Sequence, residues 1–321
     1  MCKGIPGGVY PTMVTPFTKD NHLDLEAVDR LVEWYCERGC QGIFAVCQSS
    51  ELFYLSMEER VTLARRVVQA ARRQPEPPCV VASGHVSDSI EEQAEELTAI
   101  CQTGVSAAVW ISNRLDPRQE GDRVWIRNAE QLLSRLPKDA SFGIYECPAP
   151  YKRLLTPEIL DWCRSTGRFL FIKDTCCDPI LLEQRLEKLA GSKIRLFNAN
   201  AQTLLLSLRA GAAGYSGVMA NFHPELYVWL CSNFQRETHK ASYVADLLSV
   251  CAFTESMAYP VTAKYHLTLE GLPLELATRS RRAEELTLYQ RQVVEQMREL
   301  TQQARAGLVN EAGSLDLSAK L

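Results

Sequence analysis

The chain has 321 residues, 46% hydrophobic and 23% charged, enough apolar content for one barrel-sized core with an appendage. Its formal net charge is −4 with no long block of Lys or Arg, which argues against nucleic acid or an anionic membrane as partner. No apolar run has the length of a signal-peptide core or a membrane span, so a cytoplasmic protein is expected.

Taken from the start, short apolar runs ending in small or polar residues alternate with amphipathic stretches. Strands are predicted over residues 9–14, 43–46, 80–82, 107–111, 142–145, 169–172, 194–197 and 214–218. Between the first two, Ala27, Val28, Leu31, Val32 and Tyr35 lie on one face of a helix. Before the third strand, Ser56 and Glu59 have the spacing of a capping box, and Val61, Ala64, Val67, Val68 and Ala71 continue as an apolar stripe. Thr156-Pro157 and Asp178-Pro179 each set a proline just after a capping residue, where its missing N–H is not needed. Strands alternating with helices at about thirty residues per unit predict a closed (β/α)8 barrel, the TIM-barrel architecture, over residues 1–235.

From residue 236 the strand signals stop. Helices are predicted over 243–258, 261–269 and 280–306, the last with Leu286, Tyr289, Val293, Met297 and Leu300 at helical spacing, and a frayed tail from about Ala312. Residues 236–321 therefore read as a C-terminal helical appendage packed on the barrel.

The twelve cysteines include no Cys-x-x-Cys, and Cys36, Cys79 and Cys101 read as small core hydrophobes. Cys147, Cys176 and Cys177 are either pocket lining or filler. The five histidines lack any metal-ligand spacing, so neither a metal nor another cofactor is expected.

The densest chemical signal is Phe169-Leu-Phe-Ile-Lys-Asp-Thr175, a buried apolar run with Lys173 at its end. A lysine there is either leaving the core for solvent or held in it as a reactive amine. One unit earlier, the run 142–145 ends in Tyr145, and consecutive parallel strands lie about 4.8 Å apart, so the two side chains are expected to meet. A neutral buried amine can attack a ketone, and the protonated imine is an electron sink that lets a C–C bond break or form without a metal. A phenol beside it can move protons, although a tyrosine that merely packs at the rim fits the same position.

With these residues in order, the chain resembles the dihydrodipicolinate synthase and N-acetylneuraminate lyase family of pyruvate-handling class I aldolases, over roughly residues 8–300. Phe171-Ile172-Lys173-Asp174-Thr175 matches the family's sixth-strand lysine, and Tyr145-Glu146-Cys147-Pro148 its fifth-strand Tyr-x-x-Pro. Gly214-Tyr215-Ser216-Gly217-Val218-Met219-Ala220-Asn221 resembles the eighth-strand pattern with a serine replaced by Gly217, and Leu55 to Arg60 resembles the start of the second helix. Three departures stand beside these. The Gly-Thr-Thr-Gly-Glu loop reads Cys47-Gln48-Ser49-Ser50-Glu51, so Gln48 replaces a hydroxyl of the usual proton relay. Ser112-Asn113-Arg114-Leu115 replaces a Pro-Tyr-Tyr segment whose tyrosine joins that relay across a subunit contact. Pro150 stands where the synthases carry an arginine for the second substrate's carboxylate.

The resemblance implies Lys173 as imine-forming amine and Tyr145 as proton carrier. It places the keto acid's carboxylate on the turn Gln48 to Ser50, with Ser49 keeping a hydroxyl and Ser216 in the matched pattern. His85 and Asn113 follow strands at the catalytic end of the barrel, where they would bind hydroxyls of a sugar acid; for His85 a structural hydrogen bond is an equal alternative. Expected partners are a small keto acid and an aldehyde, acting on a 2-keto-3-deoxy sugar acid type of substrate, in a homotetramer. Two other functions remain open at this stage: an imine-dependent dehydratase or hydratase of a 2-keto acid, and a keto-acid-binding barrel without turnover.

Overall fold

The computed structural model describes residues 4–308. Eight parallel strands alternate with helices: β1 (Gly8–Val9), β2 (Gly42–Phe44), β3 (Cys79–Ala82), β4 (Ala107–Ile111), β5 (Phe142–Tyr145), β6 (Phe169–Asp174), β7 (Arg195–Asn198) and β8 (Gly214–Tyr215). The ladder runs in chain order from β2 to β8, and β8 pairs with β1. Closure between β1 and β2 is made by a bridge from Thr12 to Phe44, with Phe44 N–H donating to Pro11 O and Met13 N–H to Phe44 O. The result is a (β/α)8 barrel with C-terminal helices.

Helices α1 (Leu25–Glu37), α2 (Met57–Arg72), α3 (Ile90–Cys101), α4 (Asp122–Arg135), α5 (Pro157–Thr166), α6 (Pro179–Leu189), α7 (Leu204–Arg209) and α8 (Pro224–Asn233) surround the sheet. Their starts are set locally. The Ser56 and Glu59 capping box opens α2, the Thr156 hydroxyl accepts Ile159 N–H at α5, and Asp178 accepts Ile180 and Leu181 N–H at α6.

Three strands are shorter than expected: β2 loses one residue, and the first and last lose most of their length. The run 9–14 forms a continuous ladder only with β8, at Gly8 and Val9, before Pro11, which has no N–H to offer; beyond it a single bridge at Thr12 reaches β2. The run 214–218 pairs only at Gly214 and Tyr215, and the chain then winds into a 3₁₀ turn, Val218–Asn221.

Tyr10, Phe44, Phe171 and Phe197 fill the barrel interior, with ring centroids 4.5 to 5.8 Å apart. Glycines make room for them: a Cβ at Gly42 would lie 2.0 Å from the Tyr10 ring. One extra residue on β6 opposite Phe142 and Gly143 shifts the register. It leaves Phe169 outside, against Trp110 and Trp162, while Phe171 joins the interior rings. Lys173, two residues further on, therefore has an aromatic floor beneath it.

The C-terminal helices are α9 (Thr238–Cys251), α10 (Val261–Leu269) and α11 (Leu288–Ala306). The predicted helix 243–258 thus begins earlier and ends at Cys251, followed by a 3₁₀ turn, Ala252–Ser256. The predicted helix 280–306 starts only at Leu288, capped by Thr287 and Gln290. The predicted start is pulled out of the helix where Glu51 Oε1 on the barrel accepts the Arg279 N–H, the Ser280 N–H and the Ser280 hydroxyl, at 2.6, 2.7 and 2.8 Å, and a short 3₁₀ turn, Ala283–Glu285, follows. The buried face of α11 is Val294, Met297, Thr301 and Ala304, whereas Tyr289 and Leu300 are exposed. The tail predicted from about Ala312 lies outside the described residues. None of the described helices is long and apolar enough to cross a membrane.

Candidate active site

The register between β5 and β6 sets Tyr145 directly beside Lys173, at the ends of their strands. Lys173 is only 3% exposed, and its Nζ lies 4.4 Å from the centre of the Tyr145 ring and 5.7 Å from that of Phe44. Burial among these rings pushes its ammonium toward loss of the proton, below the ordinary lysine range; Cys47, Cys147 and Glu255 act in the opposite sense. Burial, and after it Cys147 and Cys47, holds the Tyr145 phenol well above its ordinary range, so it keeps its proton and can donate it. The Cys147 thiol is itself raised to about 11 by burial.

Both side chains open into a cavity of about 730 Å³ at the C-terminal end of the barrel. Gln48 and Ser49 line it with them, as do Thr175, Asn200, Lys152 and Cys177. So do residues that the sequence reading did not select, above all Glu255 and Tyr259 from the C-terminal region. The Tyr259 hydroxyl donates to Ser49 O at 3.2 Å, joining that region to the turn after β2. No local signal marks either residue, since Glu255 sits in what reads as a helix interior.

The remaining predicted residues are absent from the cavity wall. His85 is fully buried: Ile111 N–H donates to its Nε2 at 2.5 Å, which leaves the proton on Nδ1, 3.1 Å from Gln93 Oε1. Burial lowers its pKa to about 3, so it is a neutral strut between β4 and α3. Asn113 sends its amide to the carbonyls of Cys147, Ala149 and Tyr151, at 2.7 to 3.0 Å, and so shapes the loop after β5. The Ser50 hydroxyl donates to Met13 O and its N–H to Cys47 O, leaving it nothing for a ligand. The Ser216 hydroxyl donates to Tyr10 O inside the wall. Each of these groups met a backbone carbonyl or amide on a neighbouring strand or loop before it could reach the cavity. Replacing His85 by Ala is accordingly expected to lower stability by about 1–3 kcal/mol while leaving KM within about twofold, as read by thermal melts and steady-state kinetics.

Two departures in sequence have a structural reason. A Cβ at position 217 would lie 2.2 Å from the Tyr215 hydroxyl, so the serine of the pattern gives way to Gly217 beneath a Tyr215 ring stacked on Tyr227. The Gln48 side-chain carbonyl accepts the Cys147 thiol at 3.2 Å, so the position that replaces a relay hydroxyl is tied to the tyrosine's own loop.

Behind the pair, Arg185 on α6 contacts Glu146 Oε1 at 2.7 Å and also bridges to Asp174, all three being nearly inaccessible. Glu146 further accepts Leu155 N–H and Thr175 N–H, and the Thr175 hydroxyl donates to Glu146 O at 2.7 Å. Burial and the adjacent Asp174 raise the Glu146 pKa, with Arg185 opposing. Burial works against the Arg185 charge as well, but the two carboxylates hold it on. This buried triad clamps the ends of β5 and β6, and with them Tyr145 and Lys173.

The model of the dihydrodipicolinate synthetase family matches residues 5–303. The chain belongs to that family. The 4-hydroxy-tetrahydrodipicolinate synthase of Nitrosococcus oceani is 28% identical over 291 residues, covering 87% of this chain and 95% of the relative. That of Ruegeria pomeroyi is 27% identical over 240 residues, 75% and 78% of the two chains. Among solved structures, the Escherichia coli K12 prophage protein YagE, determined with pyruvate, superposes with a TM-score of 0.80 at 22% identity, over 93% of this chain and 98% of the other. The wild-type sialic acid aldolase of Ruminococcus gnavus gives 0.81 at 19% identity, over 93% and 97%. These structural likenesses speak to the barrel and its appendage. Solved dihydrodipicolinate synthases and a sialic acid aldolase thus share the fold of this chain.

Proposed function

We propose that this protein is a Schiff-base-forming aldolase or lyase, joining or splitting pyruvate and an aldehyde through Lys173. The observation that carries this reading is the buried Lys173 amine beside Tyr145 at the floor of the cavity. Its depressed pKa raises the fraction of neutral amine at neutral pH, and only the neutral amine attacks a ketone. Among the described residues, the N–H groups of Gln48 and Ser49 have no protein acceptor and are left for the carboxylate of the keto acid. Ser50 plays no part in that role.

For the acceptor we propose a neutral hydroxyaldehyde, giving a 2-keto-3-deoxy sugar acid. Gln48, Ser49, Thr175 and Asn200 offer mixed donors and acceptors suited to hydroxyls. The cationic groups on the wall are engaged: Lys152 donates to Thr175 O at 2.7 Å, and Arg281 pairs with Glu285 and donates to Tyr259 O. Arg153, next in sequence, is held by Asp116 and Asp122. With Pro150 in the loop and the Glu255 carboxyl on the wall, a carboxylate-bearing amino aldehyde finds no bidentate grip.

Incubation with pyruvate and borohydride should add the mass of a reduced pyruvate imine at Lys173. With pyruvate present, kcat/KM for glyceraldehyde should exceed that for aspartate semialdehyde. Absence of the adduct across neutral pH sinks the imine reading, and a preference for the semialdehyde sinks the acceptor reading alone.

A further inference from the structure

An aldol reaction on an imine requires two proton movements beyond imine formation: one off C3 of the bound pyruvate, and one onto the aldehyde oxygen. Tyr145 is poorly suited to the first. Its phenol is held protonated by burial, and the groups around it are the Lys173 amine, the Cys47 and Cys147 thiols and the Tyr259 phenol, none of them a carboxylate. The Gln48 carbonyl, which faces the same loop, is occupied by the Cys147 thiol.

Several of the other titratable groups on the cavity wall are engaged within the chain. Glu51 Oε1 holds Arg279 and Ser280 and its Oε2 is buried out of solvent, and Lys152 and the Cys177 thiol both donate to Thr175 O. Tyr259 donates to Ser49 O. Glu255 is a carboxyl on the same cavity wall that, among the described residues, makes no hydrogen bond or ion pair within the chain; Tyr54 also has a free hydroxyl there, but it is a phenol on an exposed side chain. Glu255 shares the cavity wall with Lys173, whose charge favours the ionised form of its carboxyl. Its position is fixed by the 3₁₀ turn Ala252–Ser256, where the Thr254 hydroxyl donates to Cys251 O at 2.8 Å and Met257 N–H to Thr254 O at 2.9 Å.

We propose that Glu255 is the acid–base group of the C–C bond step, carrying a proton from C3 of the pyruvate imine to the oxygen of the aldehyde. The assignment rests on the imine reading given above. In the condensing direction the carboxylate takes a C3 proton, the C–H electron pair becomes the C2–C3 double bond, and the C=N π pair moves onto nitrogen to give an enamine. The enamine carbon then attacks the aldehyde carbon, and a new C–C bond forms as the carbonyl π pair becomes an alkoxide. The protonated Glu255 gives its proton to that oxygen, and the iminium and the carboxylate are both restored. Cleavage follows the same path backwards. Partial burial raises the Glu255 pKa above the ordinary carboxyl value, with Lys173 opposing, while the residue stays open to solvent at the cavity mouth.

The test uses the whole protein and three readouts: borohydride trapping of pyruvate, loss of C3 protons of pyruvate to deuterium in D2O followed by NMR, and turnover with pyruvate and glyceraldehyde. Glu255→Gln should keep the trapped adduct on Lys173 but lose about a hundredfold or more in both exchange and turnover, and Glu255→Asp should recover part of each. Exchange and turnover of Glu255→Gln within about threefold of wild type overturn the proposal. Loss of the adduct in Glu255→Gln also overturns it, by placing the carboxyl in imine formation. A wild-type protein that forms no adduct removes the imine reading and this assignment together.

Discussion

Replacement of Lys173 by Met is expected to abolish borohydride trapping of pyruvate and to reduce turnover by at least about 10⁴-fold, because no second amine is placed to form the imine. Lys152 also lines the cavity, but it is exposed and donates to Thr175 O. The same substitution is expected to stabilise the protein at neutral pH, since methionine fills a similar volume without bringing an amine into an apolar site. The sign follows from proton binding. The folded pKa of Lys173 lies below its unfolded value of 10.5, so between the two the unfolded chain binds more protons and stability rises with pH. Lys173→Met should flatten that part of the stability profile. In the wild type, the rate of imine formation should rise with pH and level off below 10.5, as the amine loses its proton. Trapped pyruvate in the Lys173→Met protein, at Lys152 or elsewhere, would overturn the role given to Lys173.

Replacement of Arg185 by Met should be the most damaging single change to stability. Arg185, Glu146 and Asp174 are 2%, 0% and 0% exposed at their side chains, so removing the guanidinium leaves two buried carboxylates facing each other. Breaking a buried network of this kind by deleting one partner costs about 3–5 kcal/mol, equivalent to roughly 10 °C in Tm for a chain of this size. The loss should depend on pH. Glu146 already has a raised pKa with Arg185 opposing the rise, so without Arg185 its carboxyl binds a proton that the unfolded chain releases, and stability falls as pH increases. The Tm gap from wild type should be smaller at pH 5 than at pH 8. Combining Arg185→Met with Glu146→Gln and Asp174→Asn should recover a large part of the loss, because no charge remains to be paired. Since the triad clamps β5 to β6, Arg185→Met alone should also slow imine trapping at Lys173. A Tm unchanged within about 2 °C would show that the triad does not hold the strand ends.

The meeting of Lys173 and Tyr145 was legible in the sequence because its cause is local. An apolar run between turn signals makes a strand, strand length places Lys173 and Tyr145 at the ends, and chain order makes the two strands neighbours. The helix starts at Ser56, Thr156 and Asp178 were legible for the same reason, since a cap acts on residues two or three positions away. What the polar residues beyond the strands do was decided only by the tertiary structure. His85 and Asn113 follow strands at the catalytic end, but the Ile111 amide with Gln93, and the carbonyls of the loop after β5, claim them for the wall. Ser50 and Ser216 are claimed in the same way by Met13 O and Tyr10 O. A polar side chain takes the first partner that burial offers it, and that partner comes from a strand or helix remote in sequence. Glu255 and Tyr259 show the converse. Nothing around them in sequence marks a site, yet the turn after α9 carries both to the cavity that holds Lys173, 82 and 86 residues earlier in the chain.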